Sequence, residues 1–147
     1  MLRLTKNTDY ALMVVNFMAC QKDPFVANTK TMAETYHIPL ELLAKILQRL
    51  AKNGLVLSKS GPKGGYILAK DAAHITIGEV IQAIEGPIRI VRCEDDDCSQ
   101  MEYCTVRGPL IQIEQKIVAF LESITVEQMY QPTGHGEREG LVQLARV

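Results

Sequence analysis

From residue 9 to residue 19 the apolar positions fall into two stripes: Ala11, Val14, Val15 and Met18 on one side, Tyr10, Met13 and Phe17 on another. A helix with that pattern is buried on several sides. Thr5 is placed to cap it, which puts Thr8 and Asp9 near its first turn. Cys20 ends the apolar run and reads as a structural thiol, a small hydrophobe in a packed interior. Asp23-Pro24 then breaks the helix.

A short second helix is expected from an Asn28 or Thr29 cap through Tyr36, with Met32, Ala33 and Tyr36 turned inward. A third should run from about Pro39 to Asn53. Its Leu43, Ile46, Leu47 and Leu50 recur at i, i+3, i+4 and i+7. Pro39 suits the first helical position and Gly54 the C′ position. Leu55 to Ser60 and Tyr66 to Leu68 then read as two strands joined by Gly61-Pro62-Lys63-Gly64-Gly65. Helix, tight turn, helix and Gly-rich hairpin is the order of a winged helix-turn-helix.

Thr76-Ile77-Gly78-Glu79 is a capping box, with Ile75 and Val80 as its hydrophobic staple. That helix should end at Glu85, before Gly86-Pro87. Pro109 opens the longest regular stretch, where Leu110, Ile113, Ile117, Phe120 and Ile124 are spaced 3, 4, 3, 4 as an a/d seam. A partner chain is its expected cover. Thr125-Val126-Glu127-Gln128 is another capping box for a short last helix. From Gln131 onward the glycines and Pro132 predict a mobile tail, in which Leu141 to Leu144 dock weakly at most. The chain has no internal repeat.

The fold expected is mainly α, with a winged helix-turn-helix DNA-binding domain over residues 1–70. Residues 71–130 add a Cys-rich cluster-binding loop and a long dimerisation helix, and 131–147 a tail. Charge follows this division. Residues 1–70 hold ten Lys and Arg against four Asp and Glu, whereas residues 71–147 hold six against thirteen. A basic half beside an acidic half marks a nucleic-acid-binding part and a separate regulatory part. No apolar run is long enough to span a bilayer and no signal core opens the chain, so a cytoplasmic protein without a membrane partner is expected.

The basic half supplies the DNA-facing candidates. Glu41, Lys45, Gln48, Arg49 and Lys52 point away from the apolar stripe of the third helix. Lys and Arg neutralise phosphates, while Gln and Arg can also read base edges. The turn contributes Ser58, Lys59, Ser60, Lys63 and Gly64, small residues and two cations at a tip that can approach the backbone closely. No nucleophile–base pair, paired His motif or phosphate loop with its following helix is present, so an enzyme is not expected.

Cys93, Cys98 and Cys104 lie in a C-x4-C-x5-C run, with Glu94 to Asp97 between the first two. Such acid cannot enter a core without losing hydration, so the thiols are gathered on a surface loop. In a reducing compartment, clustered thiols point to metal or redox chemistry. An iron–sulfur cluster and zinc both suit soft thiolates and both need a fourth ligand. Structural zinc favours paired C-x2–4-C units, absent here, and His37, His74 and His135 all lie outside the loop. A redox switch between two thiols is the third reading.

At the level of motifs the sequence resembles the winged-helix iron–sulfur regulators of the IscR/NsrR family. Leu4-Thr5-Lys6-Asn7-Thr8-Asp9-Tyr10-Ala11-Leu12, Ile46 to Val56, Ser60 to Leu68, and Ile84-Glu85-Gly86-Pro87 carry the resemblance. It implies a homodimer that binds a palindromic double-stranded DNA operator and holds a cluster on Cys93, Cys98 and Cys104. One branch often places a His three residues after the third Cys; here Arg107 stands there. The nitric-oxide-sensing branch can instead use an Asp of the first helix from the other subunit, a place that Asp9 fits. Together these turn the expectation toward a 4Fe–4S cluster, with 2Fe–2S second. Met1 to Leu4 and Ile124 to Met129 look like the subgroup that regulates sulfur-mobilisation cluster-assembly operons. The reading is therefore a redox-sensing repressor or regulator of cluster-assembly genes. The alternatives are a nitric-oxide-sensing repressor and a zinc- or thiol-stabilised DNA-binding protein.

Overall fold

A computed structural model describes residues 3–21, 25–91, 93 and 98–129. Helix α1 (Lys6–Ala19) has Thr5 in the N-cap position, but the Thr5 side chain makes no capping bond. Its hydroxyl donates instead to Glu85 (2.6 Å). Ala11, Val14, Val15 and Met18 are buried. Helix α2 (Thr29–Tyr36) is capped by Asn28, whose Oδ1 accepts from the Thr31 N–H (3.2 Å). The chain leaves α2 through His37 at φ 53°, a left-handed conformation uncommon outside glycine. The Ile38 N–H then returns to the Ala33 carbonyl (2.9 Å), which makes the tight corner between the helices.

Helix α3 (Leu40–Lys52) buries Leu43, Ile46, Leu47 and Leu50, as the sequence periodicity predicts. Pro39 occupies its N-cap rather than the first helical position. At the other end Gly54 adopts φ 73°. Its N–H donates to Ala51 (3.0 Å) and that of Leu55 to Leu50 (3.0 Å), the two bonds of a Schellman motif. The left-handed residue turns the chain directly into the wing.

Strands β1 (Val56–Lys59) and β2 (Gly65–Leu68) pair antiparallel, with Val56 opposite Leu68 and Lys59 opposite Gly65. Ala27 adds a single-residue bridge on the far side of β2. Its N–H donates to Tyr66 (2.8 Å), and the Tyr66 N–H donates to the Ala27 carbonyl (2.9 Å). This contact was not expected, because one paired residue leaves no pattern in sequence. It does explain Gly65, where a Cβ would sit 2.2 Å from the Ala27 carbonyl oxygen.

After a 3-10 turn (Ala72–His74), helix α4 (Ile77–Glu85) carries the reciprocal Thr76/Glu79 capping box. Burial pushes the Glu79 carboxyl up, but hydrogen bonds from Lys70 and Thr76 outweigh it and hold the group below its ordinary value. Helix α5 (Arg107–Ser123) starts at Arg107 rather than Pro109, so the proline falls inside its first turn. There a missing N–H costs no intrahelical bond. Helix α6 (Val126–Met129) is capped by Thr125 and Gln128, each side chain accepting from the other's N–H.

Ile124 departs from its expected place on the seam. It lies beyond the end of α5, gives its carbonyl to the Ile77 N–H (2.8 Å) and packs against the core. That core is continuous from Ala11 through Leu47 and Ile75 to Val126, so residue 70 separates charge and not packing. Among the described residues no helix is long and apolar enough to cross a membrane. The expected tail, 131–147, lies outside the described residues.

Gly65→Ala should force the Ala27 bridge open, costing about 1–3 kcal/mol as an overpacked contact between backbones. Urea unfolding would register the loss. An unchanged midpoint would mean that the bridge contributes nothing to holding the wing.

Candidate nucleic-acid interface and cysteine loop

Helix α3 turns its buried stripe to the core and leaves Glu41, Lys45, Gln48, Arg49 and Lys52 exposed. Lys45, Gln48 and Lys52, at i, i+3 and i+7, share one side. At the wing, Ser58, Lys59, Ser60 and Lys63 are exposed and Gly64 is half-buried. Gly61 holds φ 115°, and a Cβ on Gly64 would lie 2.6 Å from the Lys59 carbonyl oxygen. Only glycines allow so tight a tip, which leaves the Lys63 ammonium at its apex. Among the described residues the ion pairs are Lys30–Glu34 and Lys70–Glu79. Lys45, Lys52, Lys59 and Lys63 take no part in these pairs.

Arg49 behaves differently from its neighbours. Its Nη1 donates to the Ile84 carbonyl (3.1 Å) at the end of α4. Beside it, Glu85 accepts from the Thr5 N–H (3.0 Å), the Thr5 hydroxyl and the Thr8 hydroxyl. Those hydrogen bonds, from Thr5 and then Thr8, hold the Glu85 carboxyl below its ordinary value, helped by the Arg49 charge. Thr8 is 0 % exposed, the one buried polar side chain in the described core. Sequence reasoning placed Arg49 with the DNA contacts and assigned Glu85 and Thr8 no role.

Asp9, next to Thr8, points into solvent. The cysteine loop is anchored at its edges. Glu114 of α5 accepts from the N–H groups of Ile90 and Val91 (3.1 Å for Val91), and these bonds lower its carboxyl. Arg107, also of α5, donates from Nη2 to the Cys93 carbonyl (3.2 Å). Its Nε is buried with no hydrogen-bond partner among the described residues. Cys93 and Cys104 are half-buried and Cys98 is exposed. The three thiols and Asp9 are not drawn together in this arrangement: among the described residues no three His, Cys, Asp or Glu are grouped to hold a metal ion. Glu94 to Asp97 lie outside the described residues. Cys20, away from the loop, is half-buried, and burial pushes its thiol up, as suits a structural cysteine.

On α5, Ile113 and Phe120 are 47 % and 54 % exposed, while Leu110 and Ile117 are half-buried. Ile117 lines a groove of about 370 Å³ with Leu4, Ile81, Ile88 and Leu121 of its own chain. The expected seam is therefore split between the protein's own surface groove and solvent.

A winged helix with a basic recognition helix and wing tip defines a DNA-binding transcriptional regulator. The chain belongs to the Rrf2 family of iron-dependent transcriptional regulators, whose sequence profile matches residues 4–132. It is 32% identical over 129 residues to the HTH-type transcriptional regulator IscR of Klebsiella pneumoniae (strain 342), covering 87% of this chain and 79% of that protein. The IscR of Photorhabdus laumondii subsp. laumondii is 33% identical over the same shares. Among solved structures, CymR, the global cysteine regulator of B. subtilis, is 26% identical, with a TM-score of 0.71 over 91% of this chain and 100% of that one. The fold is also that of T. potens IscR, at a TM-score of 0.68 over 87% of this chain and 85% of that one, with 24% identity. These relatives are regulators and not enzymes.

Helix and wing should separate in binding assays. Lys63→Ala should weaken binding to all DNA and lower the salt slope by about one. Gln48→Ala should instead change preference at one base pair by about 1–3 kcal/mol. Equal losses on random and cognate duplexes from both substitutions would reverse this assignment of roles.

Proposed function

We propose that this regulator is a cytoplasmic homodimer that senses through an iron–sulfur cluster and binds a palindromic operator controlling cluster-assembly genes. Cys93, Cys98 and Cys104 would hold the cluster, with Asp9 of the partner subunit as fourth ligand. The observation that carries the reading is the construction of the cysteine loop. Its edge is hydrogen-bonded to α5 through Glu114 and Arg107, yet Arg107 keeps a buried Nε–H without an acceptor among the described residues. A buried donor left unmade costs about 1–3 kcal/mol, so an acceptor belongs there. A cluster ligated by thiolates is anionic and rich in sulfur acceptors, and the donor set fits it.

Hard and soft donors would divide the work. The three thiolates suit iron and sulfide, while a carboxylate is a harder, more exchangeable ligand. Asp9 is exposed on α1, where another chain can reach it. With Arg107 at the place of the family's histidine, a 4Fe–4S cluster is preferred to 2Fe–2S. When bound, the cluster supplies a centre labile to oxygen or nitric oxide; the protein's own part is to hold it at a solvated loop tied to α4 and α5. The Asp9 arrangement also supports nitric oxide as the signal, which is the second reading.

Protein purified without oxygen should be brown, with iron and acid-labile sulfide. Cys93→Ala, Cys98→Ala or Cys104→Ala should abolish the colour, and Asp9→Ala should shift the spectrum and hasten decay. A colourless wild-type protein carrying zinc would end the cluster reading in favour of a zinc-stabilised DNA-binding protein. Wild-type spectra and decay in Asp9→Ala would remove only the fourth ligand.

The dimer would close over the exposed side of α5. Phe120→Asp places an unpaired charge there, at a cost of several kcal/mol to association, while touching little of its own core. Sedimentation should give monomers, and operator binding should fall, since two half-sites need two heads. A variant that stays dimeric would exclude this face.

A further inference from the structure

Three helix ends meet at one surface point: the first turn of α1, the last turn of α3 and the last turn of α4. The final carbonyls of a helix have no partners within it and carry its negative end. Arg49 meets this need for α4 by donating to the Ile84 carbonyl. Glu85, the last residue of α4, faces the other way and gathers the Thr5 N–H and both threonine hydroxyls of α1. One arginine and one glutamate thus fasten α3 to α4 and α4 to α1. Thr8 is fully buried beneath the carboxylate, so water cannot substitute for it there.

The position of this fastening matters more than its strength. Directly after Glu85 the chain turns at Gly86, φ 83°, and runs to Cys93. Directly after Thr8 comes Asp9. Both segments proposed to touch the cluster therefore leave from the same point, and the third member of that point is the recognition helix.

We propose that Arg49 and Glu85 form a clasp that sets the pose of the recognition helix, so that Arg49 is a positioning residue and not a contact to DNA. The second half of the inference, that displacement of the cysteine loop or of Asp9 reaches α3 through this clasp, rests on the cluster reading above. A guanidinium is suited to the task. Its planar fork can hold a backbone carbonyl in a fixed direction while its charge lies beside Glu85, whereas a lysine offers a flexible point charge.

The experiment compares Arg49→Lys, Arg49→Met and Glu85→Gln with the wild type on operator DNA across a salt series. A clasp predicts that Arg49→Met weakens binding several-fold with the wild-type salt slope. Arg49→Lys should fail to restore it, and Glu85→Gln should give the same kind of defect. Arg49→Met combined with Glu85→Gln should be no worse than the poorer single variant, because both break one unit. A phosphate contact predicts the reverse: a slope lower by about one in Arg49→Met, normal binding in Arg49→Lys and a silent Glu85→Gln. That outcome overturns the clasp. These measurements need no cluster, so a colourless wild type defeats the cluster reading while leaving the clasp to stand or fall on the slopes. Where the wild type binds a cluster and its loaded and empty forms differ in affinity, the ratio should move toward one in Arg49→Met and Glu85→Gln. A ratio unchanged in both removes the proposed link to the loop.

Discussion

Helix α1 has to be covered on several sides at once, and most of the architecture follows from that constraint. Its apolar stripes are wider than a single neighbour can bury. In the structure it packs against α3, α4, α6 and β2, so the candidate DNA-facing helix, the wing and the helix that leads to the cysteine loop all rest on it. The first turn of α1 lies against the end of α4. A polar group there must either be satisfied or reach solvent. Thr8 is buried and donates to Glu85, while Asp9, one residue on, is exposed.

Local chemistry made the elements legible. The i, i+3, i+4, i+7 stripe of Leu43 to Leu50 and the Thr76/Glu79 capping box each declare themselves within a few residues, and the structure has them where expected. So does the turn out of α3 at Gly54, because a positive φ there needs a residue without a Cβ. The errors were small and positional. Pro109 suits any place in a first turn, so it could not mark where α5 starts. Ile124 continues the 3, 4 spacing by coincidence after the helix has ended.

Long-range polar contacts were not legible. Arg49 stands on the same outward side as Lys45, Gln48 and Lys52, and nothing in its spacing says that a carbonyl thirty-five residues away receives it. Glu85 read as a helix end before Gly86-Pro87, with no hint of the two threonines it holds. Glu114 drew no reading, and Arg107 was marked only as standing where one branch has a His, whereas both reach back to the edge of the cysteine loop. The common cause is that an exposed charged residue carries no periodic signature of its partner. For the candidate site, spacing singled out the three thiols as candidates, but no spacing pointed to the polar frame around them.

That frame bears on how the cysteine loop is joined to the helices of the core. A continuous hydrophobic interior resists gradual deformation, so a small displacement at its edge is either absorbed locally or passed on by a discrete joint. The loop is tied to α5 through Glu114 and Arg107, α5 is packed to α4 where Gly78 admits Leu121 and Glu122 closely, and α4 ends at Glu85 and the Arg49 contact. Each step is a short polar tie or a glycine-sized approach, and neither stretches without breaking. The apolar contacts between them keep the helices together whichever way the ties stand. The core therefore fixes that the helices stay together, and the polar ties fix how their ends meet, so the pose of α3 depends on the Arg49 contact as well as on its buried stripe.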